Sequence, residues 1–229
     1  MIVIAAATPW ESRPLARALG LRAVDGAEGR RWSGAGGSIL LVETGMGPAR
    51  AAAAMDRLAG KDIRLVVSAG FAGSLSGRIA PGDVVADLSS ASRSLSRRAP
   101  ALALESGLRL HDGPLASSEK VLADPAQKRA LGQRTGAGAV DMESAALRDW
   151  AKARGAAFAA VRVVLDGVDE RLPSGEPGPG FFGLLGYASA RWRELPLLAR
   201  LGLRQRRAMA ALGGFLLRLL SEVRDEPDS

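Results

Sequence analysis

The sequence of 229 residues contains no cysteine and only one histidine. The absence of cysteine excludes disulfide bonds and thiolate ligands for a metal, and one histidine cannot serve a reaction that needs two imidazole groups. Because disulfides are typical of secreted proteins, a chain without cysteine is expected to work in the cytoplasm.

Long apolar runs and aromatic residues are also scarce. No stretch reaches the roughly 18 uninterrupted apolar residues that a membrane-spanning helix needs, so we expect a soluble or peripheral protein. The N-terminal run IVIAAA has the length of a strand and no positive region before it, which predicts a first core strand and not a signal peptide. Aromatic residues make up 4% of the chain, and it carries no signature of an RNA- or DNA-binding module. Nucleic acid is therefore not expected as a partner.

Positive charge, by contrast, is abundant and unevenly distributed. The formal net charge is +7, and the segment from Phe181 to Arg218 holds seven arginines against one acidic residue, Glu194. Such a segment can serve nucleic acid, anionic lipid or simple solubility. Nucleic acid is disfavoured, which leaves anionic lipid and simple solubility open for residues 181–218.

Short β-rich runs alternate with helical stretches along the chain. The runs predict strands at 2–7, 38–43, 64–70, 82–87 and 158–166. Helical patterns occupy 9–19, 48–59, 125–132 and 142–154. This order predicts an α/β protein whose central sheet is largely parallel and covered by helices on both faces.

The whole chain, residues 1–229, is expected to form one domain. A proline- and glycine-rich break at 171–180 precedes an apolar, arginine-rich segment at 181–223. Six apolar residues of that segment recur at helical spacing on one face. They are Met209, Leu212, Phe215, Leu216, Leu219 and Val223.

Three acidic residues stand at strand ends or helix starts. Asp166 closes the strand VRVVLD, Glu11 follows the first strand, and Glu143 is predicted in the first turn of the helix at 142–154. Ligands of open α/β sheets bind outside the carboxyl ends of the strands, which makes all three candidates for a site. Each also has a structural interpretation: Asp166 as a turn residue, Glu11 as a capping residue for Thr8, and Glu143 as a charge that the helix dipole favours.

Two glycine-rich stretches also follow predicted strands. They are ETGMGPARAA at 43–52 and SAGFAGSLSGRIAPGD at 68–83. Small residues there allow a ligand to approach the backbone, or they serve tight turns. Neither stretch matches a dinucleotide fingerprint or a P-loop. His111, among polar loop residues, is assigned no role.

Taken together, these segments resemble the purine nucleoside phosphorylase and nucleosidase superfamily, which includes the methylthioadenosine/S-adenosylhomocysteine nucleosidases. The resemblance runs from Met1 to about Glu170. It rests on AVDMESAAL, similar to the family's V-E-M-E-[AS] segment, on VRVVLDGVDE, similar to its R-x-x-S-D segment, and on TGMG followed by SAGFAGSL and GD. The resemblance implies the family's three-layer α/β/α phosphorylase/hydrolase-like fold with a mixed, largely parallel sheet.

The resemblance also implies roles for individual residues. Glu143 takes the place of the glutamate that holds the ribose hydroxyls, with Met142 packed against the sugar. Asp166 takes that of the aspartate that protonates purine N7, and Glu11 that of the glutamate that activates water in hydrolytic members. The remaining substrate-binding residues implied by the family motifs are Gly45, Met46, Gly70, Phe71, Val121 and Leu122. No metal and no organic cofactor are implied.

The sequence departs from the family pattern in places that bear on the substrate. Leu165 and Phe71 replace two family serines, and Val121 and Leu122 stand where the methylthioadenosine enzymes supply a stacking phenylalanine. Glu11 occupies the place where phosphorylases of the superfamily bind phosphate, which favours hydrolysis. Arg50 and Arg78 keep phosphate open as a co-substrate.

The C-terminal segment is similar, more loosely, to that of the hopanoid-associated branch of the superfamily. That likeness implies a nucleosidase that releases adenine from adenosylhopane, a lipid-linked adenosyl substrate. The alternatives are a methylthioadenosine/S-adenosylhomocysteine or futalosine nucleosidase, a purine nucleoside phosphorylase, or a catalytically silent nucleoside- or lipid-binding protein. For such an enzyme, the likeness implies that residues 181–218 make peripheral contact at the inner membrane surface. The alternative is that residues 207–223 are the closing helix of the fold and residues 181–203 a dimer contact. The family implies a homodimer or higher homo-oligomer.

Overall fold

A computed structural model of the protein describes residues 1–25, 29–172 and 195–225. The strands are β1 (Ile2–Ala6), β2 (Arg22–Ala23), β3 (Arg31–Gly34), β4 (Ile39–Glu43), β5 (Leu65–Ser74), β6 (Val84–Ser90), β7 (Leu110–Asp112), β8 (Leu115–Ser117), β9 (Ala139–Asp141) and β10 (Ala157–Asp166). The helices are α1 (Pro9–Ala18), α2 (Pro48–Asp56), α3 (Arg93–Glu105), α4 (Pro125–Thr135), α5 (Ser144–Lys152) and α6 (Leu195–Asp225).

The strands form one mixed sheet in the order β2-β3-β4-β1-β5-β10-β6-β7, with β9 beside the end of β5 and β8 beside β9. The central strands β4, β1, β5 and β10 are all parallel, whereas β6 runs antiparallel to β10. The predicted α/β fold with a mixed, largely parallel sheet is confirmed. Its carboxyl-terminal edge brings the ends of β1, β4 and β10 together.

Helices cover both faces of this sheet. One hydrophobic cluster joins the sheet to α1, α3 and α6, and a second joins the opposite face to α2 and α5. Strand β1 is buried along its whole length, which is why it reads as a continuous apolar run and not as an alternating one.

Helix α6 closes the first face with the stripe that its spacing predicts. All six stripe residues, from Met209 to Val223, are buried in the cluster with α1 and α3. This face is core and is not available to a lipid. Residues 173–194, which include most of the proline- and glycine-rich break and the start of the arginine-rich segment, lie outside the described residues.

Among the described helices, none combines the length and the apolar character that crossing a membrane requires.

The structure corrects two of the predicted boundaries and adds a helix. Strand β5 continues through the glycine-rich segment to Ser74, because β10 pairs with it as far as Gly73. Helix α5 begins at Ser144, so Glu143 is its N-cap and not part of the first turn. Helix α3 was not predicted; Ser92 caps it, and four buried residues, Leu95, Ala99, Leu102 and Ala103, form its inner face.

Candidate active site

A cavity of about 270 Å³ opens at the carboxyl-terminal edge of the sheet. Glu11, Glu143 and Asp166 all line it, although they come from three separate parts of the chain. Each is at most 5% exposed. Three carboxyl groups rarely share a buried site without compensating partners, so their surroundings reveal what the site can do.

Glu11 combines its structural and its functional interpretation. Its Oε2 accepts hydrogen bonds from the backbone N–H and the hydroxyl of Thr8, at 2.8 and 2.9 Å, as expected of a capping glutamate. Its Oε1 accepts a hydrogen bond from the Phe71 backbone N–H at 2.8 Å. Because the hydrogen bonds to Thr8 hold Oε2 in place, they also hold Oε1 of the same carboxylate at the cavity.

Gly70 makes this arrangement possible. A Cβ atom at residue 70 would lie 2.2 Å from Oε1 of Glu11 and 2.7 Å from Nη1 of Arg162. No ordinary side chain tolerates such distances, so the glycine in SAGF allows the carboxylate and the guanidinium group to approach the backbone of β5. Gly70 therefore acts beneath Glu11 and is not itself among the residues that line the cavity.

Glu143 lines the same cavity. Its Oε1 accepts a hydrogen bond from the Gly47 N–H at 2.9 Å, and it makes no capping hydrogen bond within α5. Met142 lines the cavity beside it. Although Glu143 stands at the N-cap position of α5, its side chain does not cap the helix; it binds a glycine-rich loop 96 positions away and lines the cavity.

A buried arginine connects these acids. Arg162, on β10, is 1% exposed. Its Nη2 lies 2.7 Å from Asp141 and 3.5 Å from Glu143, and its Nη1 lies 3.9 Å from Glu11. Sequence reasoning gave Arg162 no role, although a lone arginine inside the apolar run FAAVRVVL was a visible signal, since a buried strand does not tolerate an unpaired charge.

The electrostatic balance leaves Glu143 a weaker acid than usual. Burial raises the pKa of Glu143, and the nearby Asp141 and Glu11 add to the rise. The charge of Arg162 and the Gly47 N–H act in the opposite direction. The guanidinium group thus compensates only in part for three carboxylates, which leaves the site attractive to a cation or to a group that develops positive charge.

Asp166 lies at the end of β10, against a lysine. Oδ2 of Asp166 forms a short ion pair with Nζ of Lys128 on α4, and Lys128 is fully buried. Burial raises the pKa of Asp166, while the hydrogen bond and the charge of Lys128 lower it. A carboxyl group whose pKa lies above its ordinary value can carry a proton and donate it. Sequence reasoning also missed Lys128, because its place on α4 gives no hint that it faces inward.

The structure brings all but two of the predicted site residues to the cavity wall. Besides the three acids and Met142, the wall includes Met46, Phe71, Val121 and Leu122, and also Leu165. The exceptions are Gly70, beneath Glu11, and Gly45, whose neighbour Met46 reaches the cavity in its place. Gly45 has a φ of 83° and provides the turn that places Met46 there.

The predicted cations lie elsewhere. Among the described residues that line the cavity, Lys120 is the one with a positive charge. Neither Arg50 nor Arg78 lines this cavity. Arg78 lines a second, larger cavity of about 570 Å³ together with His111, whose Nε2 lies 2.7 Å from Asp83. None of the three acids, all of them described, lines that larger cavity. We therefore take the smaller cavity as the candidate active site.

The model of the family described as the phosphorylase superfamily matches residues 1–86 and 87–178 of the sequence. The chain belongs to the phosphorylase superfamily. The match includes the three acids, Arg162 and Lys128. A sequence comparison with curated proteins gives no match.

Solved structures share the superfamily fold over nearly the whole chain. Futalosine hydrolase of Helicobacter pylori is 17% identical, with a TM-score of 0.74 over 96% of this chain and 97% of that one. The 5′-methylthioadenosine/S-adenosylhomocysteine nucleosidase of the same organism, bound to butyl-thio-DADMe-Immucillin-A, gives the same values. The Neisseria meningitidis nucleosidase of that name, bound to methylthio-immucillin-A, is 17% identical with a TM-score of 0.74, covering 96% and 98% of the two chains. At this identity the likeness establishes the fold.

Proposed function

We propose that the protein is a nucleosidase that cleaves the N-glycosidic bond of an adenosyl compound and releases adenine. The observation that carries this proposal is the meeting of Glu11, Glu143 and Asp166 around one cavity, with different surroundings for each. Membership of the phosphorylase superfamily supports it, as does the fold shared with a futalosine hydrolase and with 5′-methylthioadenosine/S-adenosylhomocysteine nucleosidases.

The three carboxyl groups match the needs of this reaction. As the C1′–N9 bond breaks, its electron pair stays with the purine, and Asp166 gives its proton to N7, so that neutral adenine leaves. Positive charge grows on the ribose, where the anionic Glu143 stabilises it and binds the hydroxyls. Water bonds to C1′ while Glu11 accepts its proton. A proton then returns from Glu11 to Asp166 through solvent.

Hydrolysis fits this site better than phosphorolysis. A phosphate ion beside Glu11 would meet a buried carboxylate, with two further acids nearby. Arg162 is already shared among Asp141, Glu143 and Glu11. Because like charges repel strongly where water is excluded, a neutral nucleophile is favoured. We therefore propose water, and not phosphate, as the second substrate.

For the substrate itself we propose adenosylhopane. A cavity of about 270 Å³ is below the range of roughly 300–1,000 Å³ that holds drug-sized ligands, so it suits a nucleoside whose long substituent extends outside. Met46 and Val121 line this cavity and are 42% and 53% exposed, and Trp10, next to Glu11 in the sequence, is 63% exposed. An apolar cavity opening of this kind favours an apolar 5′ substituent.

The test is a product analysis with three substrates. Adenosylhopane in detergent micelles, methylthioadenosine and futalosine would each be incubated with the protein, with and without phosphate, and the released base and sugar identified by mass spectrometry. We expect adenine and a free sugar from adenosylhopane, at a rate that phosphate does not change.

The other outcomes separate the alternatives. Efficient cleavage of methylthioadenosine or futalosine with adenosylhopane untouched, in the same detergent, would replace the lipid substrate by a soluble one. A sugar 1-phosphate would make the protein a phosphorylase. Binding of an adenosyl compound without turnover of any of the three would leave a nucleoside- or lipid-binding protein.

A further inference from the structure

The buried lysine beside Asp166 is placed where it acts on the acid without lining the cavity. Nζ of Lys128 donates to Oδ2 of Asp166, to the Gly167 carbonyl at 3.0 Å and to the Glu170 carbonyl at 2.8 Å. These three acceptors use all three donors of an ammonium group. Lys128 is fully buried on α4 and is absent from the described cavity wall, whereas Asp166 belongs to it.

We propose that Lys128 is a positioning residue for the acid: it holds the Asp166 carboxyl group at the cavity wall and limits the pH range over which that group keeps a proton. This inference rests on the proposed role of Asp166 in the nucleosidase reaction. Because Lys128 binds Oδ2, the proton for the purine leaves from Oδ1.

Two opposed causes set the acidity of Asp166. Burial alone would make Asp166 so weak an acid that it would keep its proton, and an acid that holds its proton too tightly transfers it slowly. The adjacent ammonium group favours the carboxylate and brings the proton within reach of the purine. Hydrogen bonds to Gly167 and Glu170 fix the lysine, so that its charge stays at a constant distance.

Other charged groups lie around the Lys128–Asp166 pair, on the segment after β10, on α6 and on the cavity wall. Glu170, in the segment after β10, raises the pKa of Asp166, and Arg204 of α6 lowers it. Arg204 binds Glu170 at 2.8 Å, so these two charges largely offset each other. Glu11 and Glu143 line the same cavity as Asp166. Among the described charged groups that act on Asp166, Lys128 is the one that contacts it directly. Removal of Lys128 should therefore change the pKa of Asp166 more than removal of any of the others.

The decisive measurement is the pH profile of kcat/KM for Lys128→Gln. Loss of the charge removes a cause that lowers the pKa of Asp166, so this pKa rises and the acid stays protonated at higher pH. We expect the alkaline limb to move upward by about one pH unit or more. The plateau of kcat should fall, while KM stays within about twofold because the lysine does not line the cavity. Lys128→Arg, which keeps the charge, should restore the limb.

Arg129→Gln is the matched control. It removes a positive charge from the next residue of the same helix, where Arg129 pairs with Asp169 at an exposed site. Its alkaline limb should coincide with that of the wild type. An unchanged limb in Lys128→Gln, with only a lower melting temperature, would reduce Lys128 to a structural residue and overturn the proposal.

A second measurement on the wild-type protein covers the case in which Lys128→Gln does not fold, and it needs no turnover. The ¹³Cε signal of Lys128 should shift at the pH where the Asp166 carboxyl carbon titrates, and Asp166→Asn should abolish that step. If the Lys128 signal did not change while Asp166 titrates, the two groups would not be coupled and the proposal would be wrong. Titration in concert without cleavage of any adenosyl substrate would instead retain the pair and reject the proposed reaction.

Discussion

The carboxylate of Glu11 occupies the space that a side chain at residue 70 would fill. Only hydrogen stands on the Gly70 Cα, and Oε1 of Glu11 lies 2.2 Å from where a Cβ would be. A single glycine in β5 therefore decides whether Glu11, Arg162 and the Phe71 N–H can meet.

Substitution of this glycine should disable the site. In Gly70→Ala the added methyl group displaces Glu11 and Arg162, and displacement of a catalytic group by about 1 Å costs about 100-fold in rate. We expect kcat to fall by at least this factor in a steady-state assay of adenine release. Gly77→Ala is the control, because a Cβ there meets nothing within 4 Å. Equal activity of the two variants would contradict the placement of Glu11 in the mechanism.

Glu143→Gln separates activity from stability. Loss of the anion beside the ribose should lower kcat/KM by about 100-fold or more. The folded-state pKa of Glu143 lies above its ordinary 4.5, so this residue contributes stability at low pH that is lost as the pH rises above about 4.5. The free energy of unfolding of the variant minus that of the wild type should therefore increase between pH 4 and pH 8, as measured by urea denaturation.

The exposed Glu119 provides the control for that experiment. Glu119→Gln should leave the activity unchanged. Normal turnover by Glu143→Gln would exclude Glu143 as the ribose-binding residue.

Asp166→Asn should abolish turnover while nucleoside binding remains. The amide keeps the shape of the side chain and cannot donate the proton, and general acid catalysis contributes about 10²- to 10⁴-fold. Isothermal titration calorimetry with a nucleoside and an assay of adenine release would measure the two properties separately. Asp169→Asn, at an exposed carboxylate three residues further on, should behave as wild type. Full activity of Asp166→Asn would remove Asp166 from the mechanism.

Arg162→Met should destabilise the protein strongly and in a pH-dependent manner. Removal of one partner from a buried ion pair costs about 3–5 kcal/mol. Without Arg162 the pKa of Glu143 rises further, so the variant loses more stability at pH 8 than at pH 5. Arg98→Met, which removes an exposed pair with Glu222, should cost at most about 1 kcal/mol. A cost that is small and equal at both pH values would show that Arg162 does not hold the acids together.

The apolar opening should control substrate preference. Met46→Ser and Val121→Ser remove half-exposed apolar surface at the cavity, and about 1 kcal/mol of lost contact corresponds to roughly fivefold in binding. We expect the ratio of kcat/KM for adenosylhopane to that for methylthioadenosine to fall by about this factor. Leu104→Ser, on α3 and 78% exposed, should leave the ratio unchanged. An unchanged ratio in the cavity variants would argue against a lipid substituent at this opening.

Local sequence was sufficient for the central strands β1, β4, β5, β6 and β10 and for most of the helices, but it missed α3 and the short strands β2, β3, β7, β8 and β9. Continuous apolar runs predicted the parallel strands, because both faces of the sheet are covered. Glu11 and Asp166 were recognisable as candidates because each lies at or just after the carboxyl end of a predicted strand. Local rules were insufficient where pairing overrode them. The glycines of SAGFAGS have little tendency to form a strand, yet hydrogen bonds from β10 extend β5 through them.

What the sequence by itself determined is the α/β architecture and the chemical types of the site residues, since periodicity and strand ends are local properties. Only the tertiary structure decided which charges share one buried volume. Arg162 serves Glu11, Asp141 and Glu143, and Lys128 on α4 reaches Asp166, 38 positions away. The reason is physical: a buried charge is stable only with its partners, and those partners are brought together by the packing of strands and helices that are distant in sequence.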